Sequence, residues 1–524
     1  MDRPLPLWIL YPLFFVAIYA SHWSLLKLPY FWDEAGYYIP AALDFFRTGS
    51  LIPHSTLSNA HPPLPSILLA SWWKMSGLSI EWTRAFVCMI SAAALLGVFR
   101  LARALSGPVI AAVVTLLTAL YPVWFAQSTL AHADIFAAAF TLWALSFYFE
   151  RYVSPCTPPR LAAVAILFSL AALSKETAIV TPVTLGVWEI VLLLTDRDNP
   201  ESSASIPWLS TLFAPIAPLV LWYVYHRYQT GFIFGNPEFL RYNATANLSV
   251  IRVLISLWHR FVHLTIHMNM YVPVVATLAV VLMPRVIPAT KALTRPALTA
   301  IAVVVAGNAI AFSILGGALL TRYLLPLFPL ILLVCVAIWA TRAKILWPLT
   351  GLTTAAFLVG LWINPPYSIA PEDNLTYADM IVLHQKAIAL IQQKYPYATV
   401  LSAWPATAEM EHPELGYTRK PIKIVAIDNF SADQVQKAAA DPGAYDTALV
   451  FSTKWVPRLG WLNIGQVSES ADTQYFDFHR DLSPDATAAM LQGQVVWRGY
   501  SNGEWAAVIR FPRSEEAQLL LPRP

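Results

Sequence analysis

Charge is scarce in this chain. Only 12% of its 524 residues are Asp, Glu, Lys or Arg, whereas a soluble domain carries about 25%. With 57% hydrophobic residues, that shortage excludes a single water-soluble core and predicts a polytopic membrane protein. Cysteine is nearly absent too. Cys88, Cys156 and Cys335 predict no disulfide framework and lack zinc-binding spacing. No Gly-rich phosphate loop occurs, so no Rossmann or P-loop nucleotide site is expected. The net charge of +3, without a basic aromatic stripe, gives no argument for a nucleic-acid partner.

Long apolar runs are what the chain does have. About eleven spans are predicted, the first six at Pro6–Leu26, Ala85–Leu101, Val109–Phe125, Ile135–Phe149, Leu161–Leu173 and Ala178–Leu194. Trp208–Tyr225, Val272–Met283, Leu298–Leu315, Leu324–Ala340 and Ile345–Ile363 follow. The first run has no Ala-x-Ala cleavage site after it and reads as an uncleaved span. Leu64–Trp73 is short and proline-led, which suits an interfacial helix. Alternate loops carry the basic residues: Arg100 and Arg103, Arg151 and Arg160, Arg197, then Arg285, Lys291 and Arg295, then Arg342 and Lys344. Basic loops stay cytoplasmic. The loop after span one and the tail are therefore expected outside, in the periplasm of a bacterium or the lumen of a eukaryote, with a bacterial inner membrane the favoured setting.

That first outer loop carries the strongest local pattern. Asp33-Glu34 follows the span end, then Tyr37-Tyr38, Gly49, Leu51-Ile52-Pro53 and His61-Pro62-Pro63. A carboxylate pair at a span mouth is costly unless it faces water or a functional cavity. Further charges recur at predicted outer span ends: Arg84, Asp134, Lys175-Glu176, and Arg322-Tyr323. Taken singly, Arg84 and Arg322 read as snorkelling side chains, Asp134 as a helix cap and Lys175-Glu176 as a solvated turn. The aromatic residues of the loop read by default as interfacial anchors. Their co-location with the acidic pair points to chemistry at the outer surface.

The set resembles the first external loop of C-class (GT-C) membrane glycosyltransferases, the superfamily of protein O-mannosyltransferases and aminoarabinose transferases. Those enzymes pair Asp-Glu with His-Pro-Pro or Lys-Pro-Pro. They also have an acid at the start of the fourth span, a Lys-containing turn and an Arg-Tyr-x-x-Pro segment. This chain departs at the turn, with Ser-Lys-Glu-Thr where many relatives have Thr-Lys-Gly. The resemblance implies transfer of a sugar from a polyprenyl-phosphate donor to a hydroxyl on a protein or envelope glycan. It implies Asp33, Glu34 and Asp134 as catalytic carboxylates, with Asp33 the general base. It implies His61, Arg84, Lys175, Arg322 and Tyr323 as substrate-binding groups. A lipid-linked glycan ligase is the alternative within the architecture, and a transporter the alternative outside it. Metal dependence stays open. His259, His263 and His267 share one helix face, and His263 is a minor candidate ligand.

Residues 1–363 are thus expected to form a helical transmembrane glycosyltransferase domain and 364–524 an extramembrane α/β domain. In the tail, an amphipathic helix at Tyr377–Lys394 precedes strands at Thr399–Ala403, Lys423–Ile427, Thr447–Phe451, Val495–Trp497 and Trp505–Arg510. Helices at Ala432–Ala440 and Pro484–Gln492 fall between some of them.

Overall fold

The computed structural model describes residues 6–56, 58–195, 206–235, 249–284, 293–315, 319–342, 344–453, 455, 469–476 and 479–511. Arg197, Arg285 and Lys291 lie outside the described residues. The chain divides into two compact units. One comprises Met1–Leu26 with Ala41–Ile363, the other Lys27–Pro40 with Asn364–Pro524.

The first unit is helical. Its helices begin with α1 (Leu7–Ser21), α2 (Ile39–Thr48), α3 (Leu64–Ser76), α4 (Ile80–Ser106), α5 (Pro108–Leu120) and α6 (Pro122–Gln127). They continue with α7 (Ala133–Phe149), α8 (Pro158–Ser174), α9 (Val180–Thr195), α10 (Ile206–Phe213) and α11 (Ile216–Thr230). The last five are α12 (Val250–Thr265), α13 (Tyr271–Val281), α14 (Arg295–Leu315), α15 (Phe328–Ala340) and α16 (Leu346–Trp362). Proline sets several starts, since its missing N–H falls among the unbonded donors of a first turn. Gly107-Pro108 shows the device at one joint: Gly107 closes α4 at φ +88° and Pro108 opens α5. Among the described residues, five helices are long and apolar enough to cross a membrane: Ile80–Ser106, Ala133–Tyr152, Glu176–Thr195, Ile206–Thr230 and Arg295–Leu315. A bent pair would make a sixth, and five shorter apolar helices coincide with the remaining expected runs.

α4 and α7 form the centre and are mostly buried by their neighbours. Charged groups sit at both ends of this pair. At the C-terminal ends, Arg100 donates to Ser146 Oγ at 2.7 Å and to Glu150 Oε1 at 2.6 Å. Nearby, Arg151 and Tyr148 both bond the buried Glu189 carboxylate. At the N-terminal ends lie Arg84 and Asp134. Sixteen residues separate Arg84 from Arg100, and Asp134 from Glu150, or about 24 Å of helix. Two polar layers bracket an apolar slab of membrane-like thickness.

The bent pair is α12 with α13, turned by 97°. Met268 and Asn269 make the bend at φ +46° and +66°. Asn269 Nδ2 donates to the Ala356 carbonyl of α16 at 2.7 Å, and the Tyr121 hydroxyl to the His267 carbonyl at 3.3 Å. The bend seats on Gly360, where a Cβ would lie 3.0 Å from Pro122 and 3.2 Å from Asn269 Nδ2. α12 is amphipathic in the sense opposite to a soluble helix. Ile251, Leu254, Trp258 and Phe261 are exposed, while Arg252, His259 and Arg260 are buried. An outward apolar face suits lipid.

The second unit contains α17 (Thr376–Lys394), α18 (Ala406–Glu411), α19 (Ala432–Ala439), α20 (Glu469–Phe476) and α21 (Pro484–Met490). Among the described residues its strands are β1 (Val400–Ala403), β2 (Ile424–Ile427), β3 (Thr447–Phe451), β4 (Gln494–Ser501) and β5 (Glu504–Arg510). The sheet order is β2-β1-β3-β5-β4. β1 pairs in parallel with β2 and β3, whereas β5 runs antiparallel to β3 and β4. Asn502-Gly503 closes the last hairpin, both at positive φ, as a two-residue turn with the sheet's twist requires. Segment Lys27–Pro40 belongs to this unit rather than to the helical one. The Tyr30 N–H donates to the Leu415 carbonyl and the Tyr417 hydroxyl to the Tyr30 carbonyl, at 3.2 and 3.0 Å. Trp404 packs against Trp32 and Tyr37 and over Gly36, where a Cβ would come within 2.4 Å of its ring.

A polar cluster is buried behind the sheet. His384 Nδ1 lies 2.7 Å from Glu409 Oε2, and the Ser452 hydroxyl donates to Glu504. Burial pushes the Glu504 carboxyl up to about 7, against smaller lowering effects of Ser452 and His384. The native state then holds a proton that the unfolded chain, titrating near 4.3, releases earlier. Its stabilising contribution is full below the unfolded value and is lost as pH rises through about 7. Glu504→Gln should flatten the decline in thermal midpoint between about pH 4.5 and pH 7. Parallel melting curves for both proteins across that window would refute the assignment.

Candidate functional site

α7 starts at Ala133 with Asp134 in its first turn. Asp134 caps nothing, for the residue before the helix is His132 and no side-chain cap bond forms. Its carboxylate instead receives two cations. Lys175 Nζ, at the C-terminal end of α8, lies 2.6 Å from Oδ1. Arg322 Nε, in the turn Thr321–Leu324 ahead of α15, lies 3.3 Å from Oδ2, at ion-pair distance without hydrogen-bond alignment. All three side chains are buried. Lys175 is therefore not a solvated turn residue, and Arg322 does not snorkel to the surface.

Neighbouring groups complete the cluster. Lys175 Nζ sits 3.9 Å from the Tyr323 ring centroid, a desolvated cation–π contact. Arg322 Nη1 approaches His132 Nδ1 at 3.3 Å, and Gln127 Oε1 lies 2.9 Å from the same nitrogen. Arg84, also buried, donates to the Thr129 carbonyl at 2.7 Å and so shapes the loop that delivers His132 and Asp134. His61 Nδ1 lies 2.9 Å from Glu176 Oε2, next to Lys175 in the chain. His61, Arg84, Asp134, Lys175, Arg322 and Tyr323 thus all fall in the first unit, joined through these bonds or short stretches of chain.

Arg260 was not expected here. It is fully buried on the inner face of α12, and one Nη donates to the Leu320 carbonyl at 2.9 Å. Its Nε and other Nη have no hydrogen-bond partner among the described residues. Its guanidinium lies 5.8 Å from the Phe312 ring centroid, and Phe312 stacks on Tyr323. A buried guanidinium with open donors is costly unless an anion meets it. His259 and His263 lie on α12, but His267 falls in the turn beyond its end, so the helix face carries two of the three; the ring centroids are 6.3 and 5.4 Å apart. Among the described residues, however, no three His, Cys, Asp or Glu side chains are disposed to hold a metal, and His263 gains no support as a ligand.

Asp33 and Glu34 lie in the second unit. Glu34 is buried and braces its own turn: Phe31 N–H donates to its carboxylate at 2.8 Å, and its N–H to the Phe31 carbonyl at 2.9 Å. Asp33 stands at the head of the following wide turn, Glu34–Tyr38.

In the first unit, then, Lys175 and Arg322 pair with the Asp134 carboxylate, Arg260 stands behind Tyr323 through Phe312, and Arg84 holds the loop before α7, with Glu176 occupied by His61. Removing Asp134 would leave two buried cations without their shared counter-ion, a loss of about 3–5 kcal/mol. Asp134→Asn should accordingly lower the thermal midpoint as well as activity. An unchanged midpoint with lost activity would make Asp134 a purely chemical group.

Residues 60–222 match the family model of dolichyl-phosphate-mannose-protein mannosyltransferase, a stretch that contains His61, Arg84, Asp134, Lys175 and Glu176. No curated protein matches the chain. Among solved structures, ArnT from Cupriavidus metallidurans in the apo state aligns with a TM-score of 0.53 at 14% identity, over 98% of this chain and 99% of that one. ArnT from the same organism bound to undecaprenyl phosphate aligns with a TM-score of 0.52 at 14% identity, over 95% and 98%. At such identity the likeness speaks for the fold. The chain has the fold of the C-class membrane glycosyltransferases, and its resemblance to the protein O-mannosyltransferase and aminoarabinose transferase-like superfamily holds.

Proposed function

We propose that this protein transfers a sugar from a polyprenyl-phosphate donor to a hydroxyl acceptor at the outer face of the membrane. The cationic surplus carries the reading. Lys175 and Arg322 are buried on one carboxylate at one end of an apolar bundle, and the buried Arg260 carries open donors beside Phe312, so a lipid phosphate would supply the missing negative charge. The ArnT structure with undecaprenyl phosphate is consistent with such a lipid. A transporter fits less well, because transport sites lie near the bilayer midplane and these charges sit at helix ends.

Chemistry follows from the charges. The acceptor hydroxyl attacks the anomeric carbon while a carboxylate takes its proton. The bond from that carbon to the phosphate oxygen breaks, and the electron pair leaves with the lipid phosphate. Lys175, Arg322 and Arg260 stabilise that leaving group by charge-assisted hydrogen bonds, with Tyr323 and His61 assisting. Single displacement inverts the anomeric configuration. Asp134 is already engaged by two cations, so we assign the proton to Asp33, with Glu34 holding the turn that presents it. Arg84 orders the loop before α7. The basic residues Arg100, Arg103, Arg151 and Arg160 lie at the opposite helix ends, which supports reading that layer as cytoplasmic and the cluster as periplasmic. The acceptor is a hydroxyl of a protein or an envelope glycan.

Asp33→Asn keeps shape but cannot take a proton as a carboxylate does. In proteoliposomes with a radiolabelled polyprenyl-phosphate sugar, it should lose about 10²–10⁴-fold in turnover while still folding. Near-normal turnover in Asp33→Asn would move the base elsewhere. Solute uptake without sugar transfer by the wild type would replace the enzyme with a transporter.

A further inference from the structure

We propose that Glu176 is a positioning residue for His61, fixing the imidazole so that its Nε2 edge is presented to the donor phosphate. The inference rests on the proposed function, since it assigns a role at the same site. A carboxylate only accepts hydrogen bonds, so the 2.9 Å contact with Glu176 Oε2 places a hydrogen on His61 Nδ1. That settles the ring's orientation and leaves Nε2 as the nitrogen turned away from Glu176. Carboxylates behind imidazoles do this work at metal and catalytic sites generally.

The backbone makes Glu176 suited to it. Lys175 ends α8 in an extended conformation, φ −152° and ψ 125°. Successive side chains of extended backbone point to opposite sides. Lys175 accordingly turns to Asp134 and Glu176 to His61, and one two-residue joint sets two groups of the site. The Ser-Lys-Glu-Thr departure from Thr-Lys-Gly is therefore not a neutral change. Glycine at 176 would leave His61 without this partner.

The chain before His61 is clamped independently. Trp222 Nε1 donates to the Ala60 carbonyl at 2.9 Å. His226 Nδ1 faces the Phe232 carbonyl at 2.8 Å, so its Nε2 is free to accept from the Ser58 hydroxyl at 2.6 Å. The His61 N–H donates to Asn59 Oδ1 at 3.0 Å. Ala60 itself is held at φ +57°, a left-handed conformation that a residue with a Cβ keeps only when its surroundings impose it. The α11 clamp places the backbone, and Glu176 then orients the ring.

The test uses the full chain in nanodiscs with undecaprenyl phosphate, without sugar, as the probe. His61→Asn and Glu176→Gln should each weaken binding about tenfold with unchanged thermal midpoints. The double variant should bind no worse than His61→Asn alone, because both changes remove one interaction. Glu176→Asp, which keeps the charge at shorter reach, should fall between wild type and Glu176→Gln. Wild-type affinity in both Glu176 variants, or losses that multiply in the double variant, would overturn the proposal. Arg322→Ala separates the two readings. If it abolishes binding while Glu176→Gln retains it, the positioning role fails and the donor site stands. If Glu176→Gln loses binding while Arg322→Ala keeps it, the positioning role stands and the assignment of Arg322 to the phosphate fails.

Discussion

Asp134, held between Lys175 and Arg322, is the interaction on which the helical unit depends. The three residues come from the start of α7, the end of α8 and the turn before α15, so one carboxylate ties together segments distant in sequence. In an apolar environment the arrangement is also a commitment. A buried carboxylate without partners would be costly, and so would each cation. Among the described residues the balance is uneven, with two cations on one carboxylate and open donors on the buried Arg260. Structural necessity and the proposed anion binding rest here on the same charge distribution.

The remainder of the unit keeps that distribution in place. The second charged layer, around Glu150 and Glu189, anchors the far ends of the same helices. It fixes α4, α7, α8 and α9 against sliding, since any shift along the axis would drag an ion pair into the apolar slab. The bend between α12 and α13 does something different. By turning at Met268-Asn269 it lets α12 run with aromatic and aliphatic residues outward and Arg260 inward. A straight helix continuing α13 would not present that face. Gly360 makes the close approach at the bend feasible.

Much of this was legible in the sequence, and what was not has physical causes. Each expected apolar run became helical, although Val109–Phe125 and Trp208–Tyr225 are each broken into two helices, α5 with α6 and α10 with α11. The tail strands fell within a residue or two at β1, β2 and β3, where short apolar runs are bounded by turn residues. β4 is longer than Val495–Trp497, since hairpin pairing with β5 extends it through polar residues whose own pattern carries no strand signal. Asp134, Lys175, Arg322 and Tyr323 stand at expected span ends, and their side chains meet in the structure. Arg260 was overlooked because its neighbours His259 and His263 form a spacing with a familiar metal meaning, whereas one arginine forms no pattern. The association of Lys27–Pro40 with the tail unit could not be read at all. It depends on Trp404 and Tyr417, hundreds of residues away, which no local window connects to Tyr30 or Gly36.

The central claim is that the buried cations of the helical unit hold a lipid phosphate. A cryo-EM structure of the protein with undecaprenyl phosphate in nanodiscs tests it most directly. The account predicts phosphate oxygens at about 2.7–2.9 Å from Lys175 Nζ and from the guanidinium groups of Arg322 or Arg260, with Asp134 still in place between its cations. Phosphate density on the opposite charged layer around Arg100 and Arg160, with Lys175, Arg322 and Arg260 untouched, would contradict it.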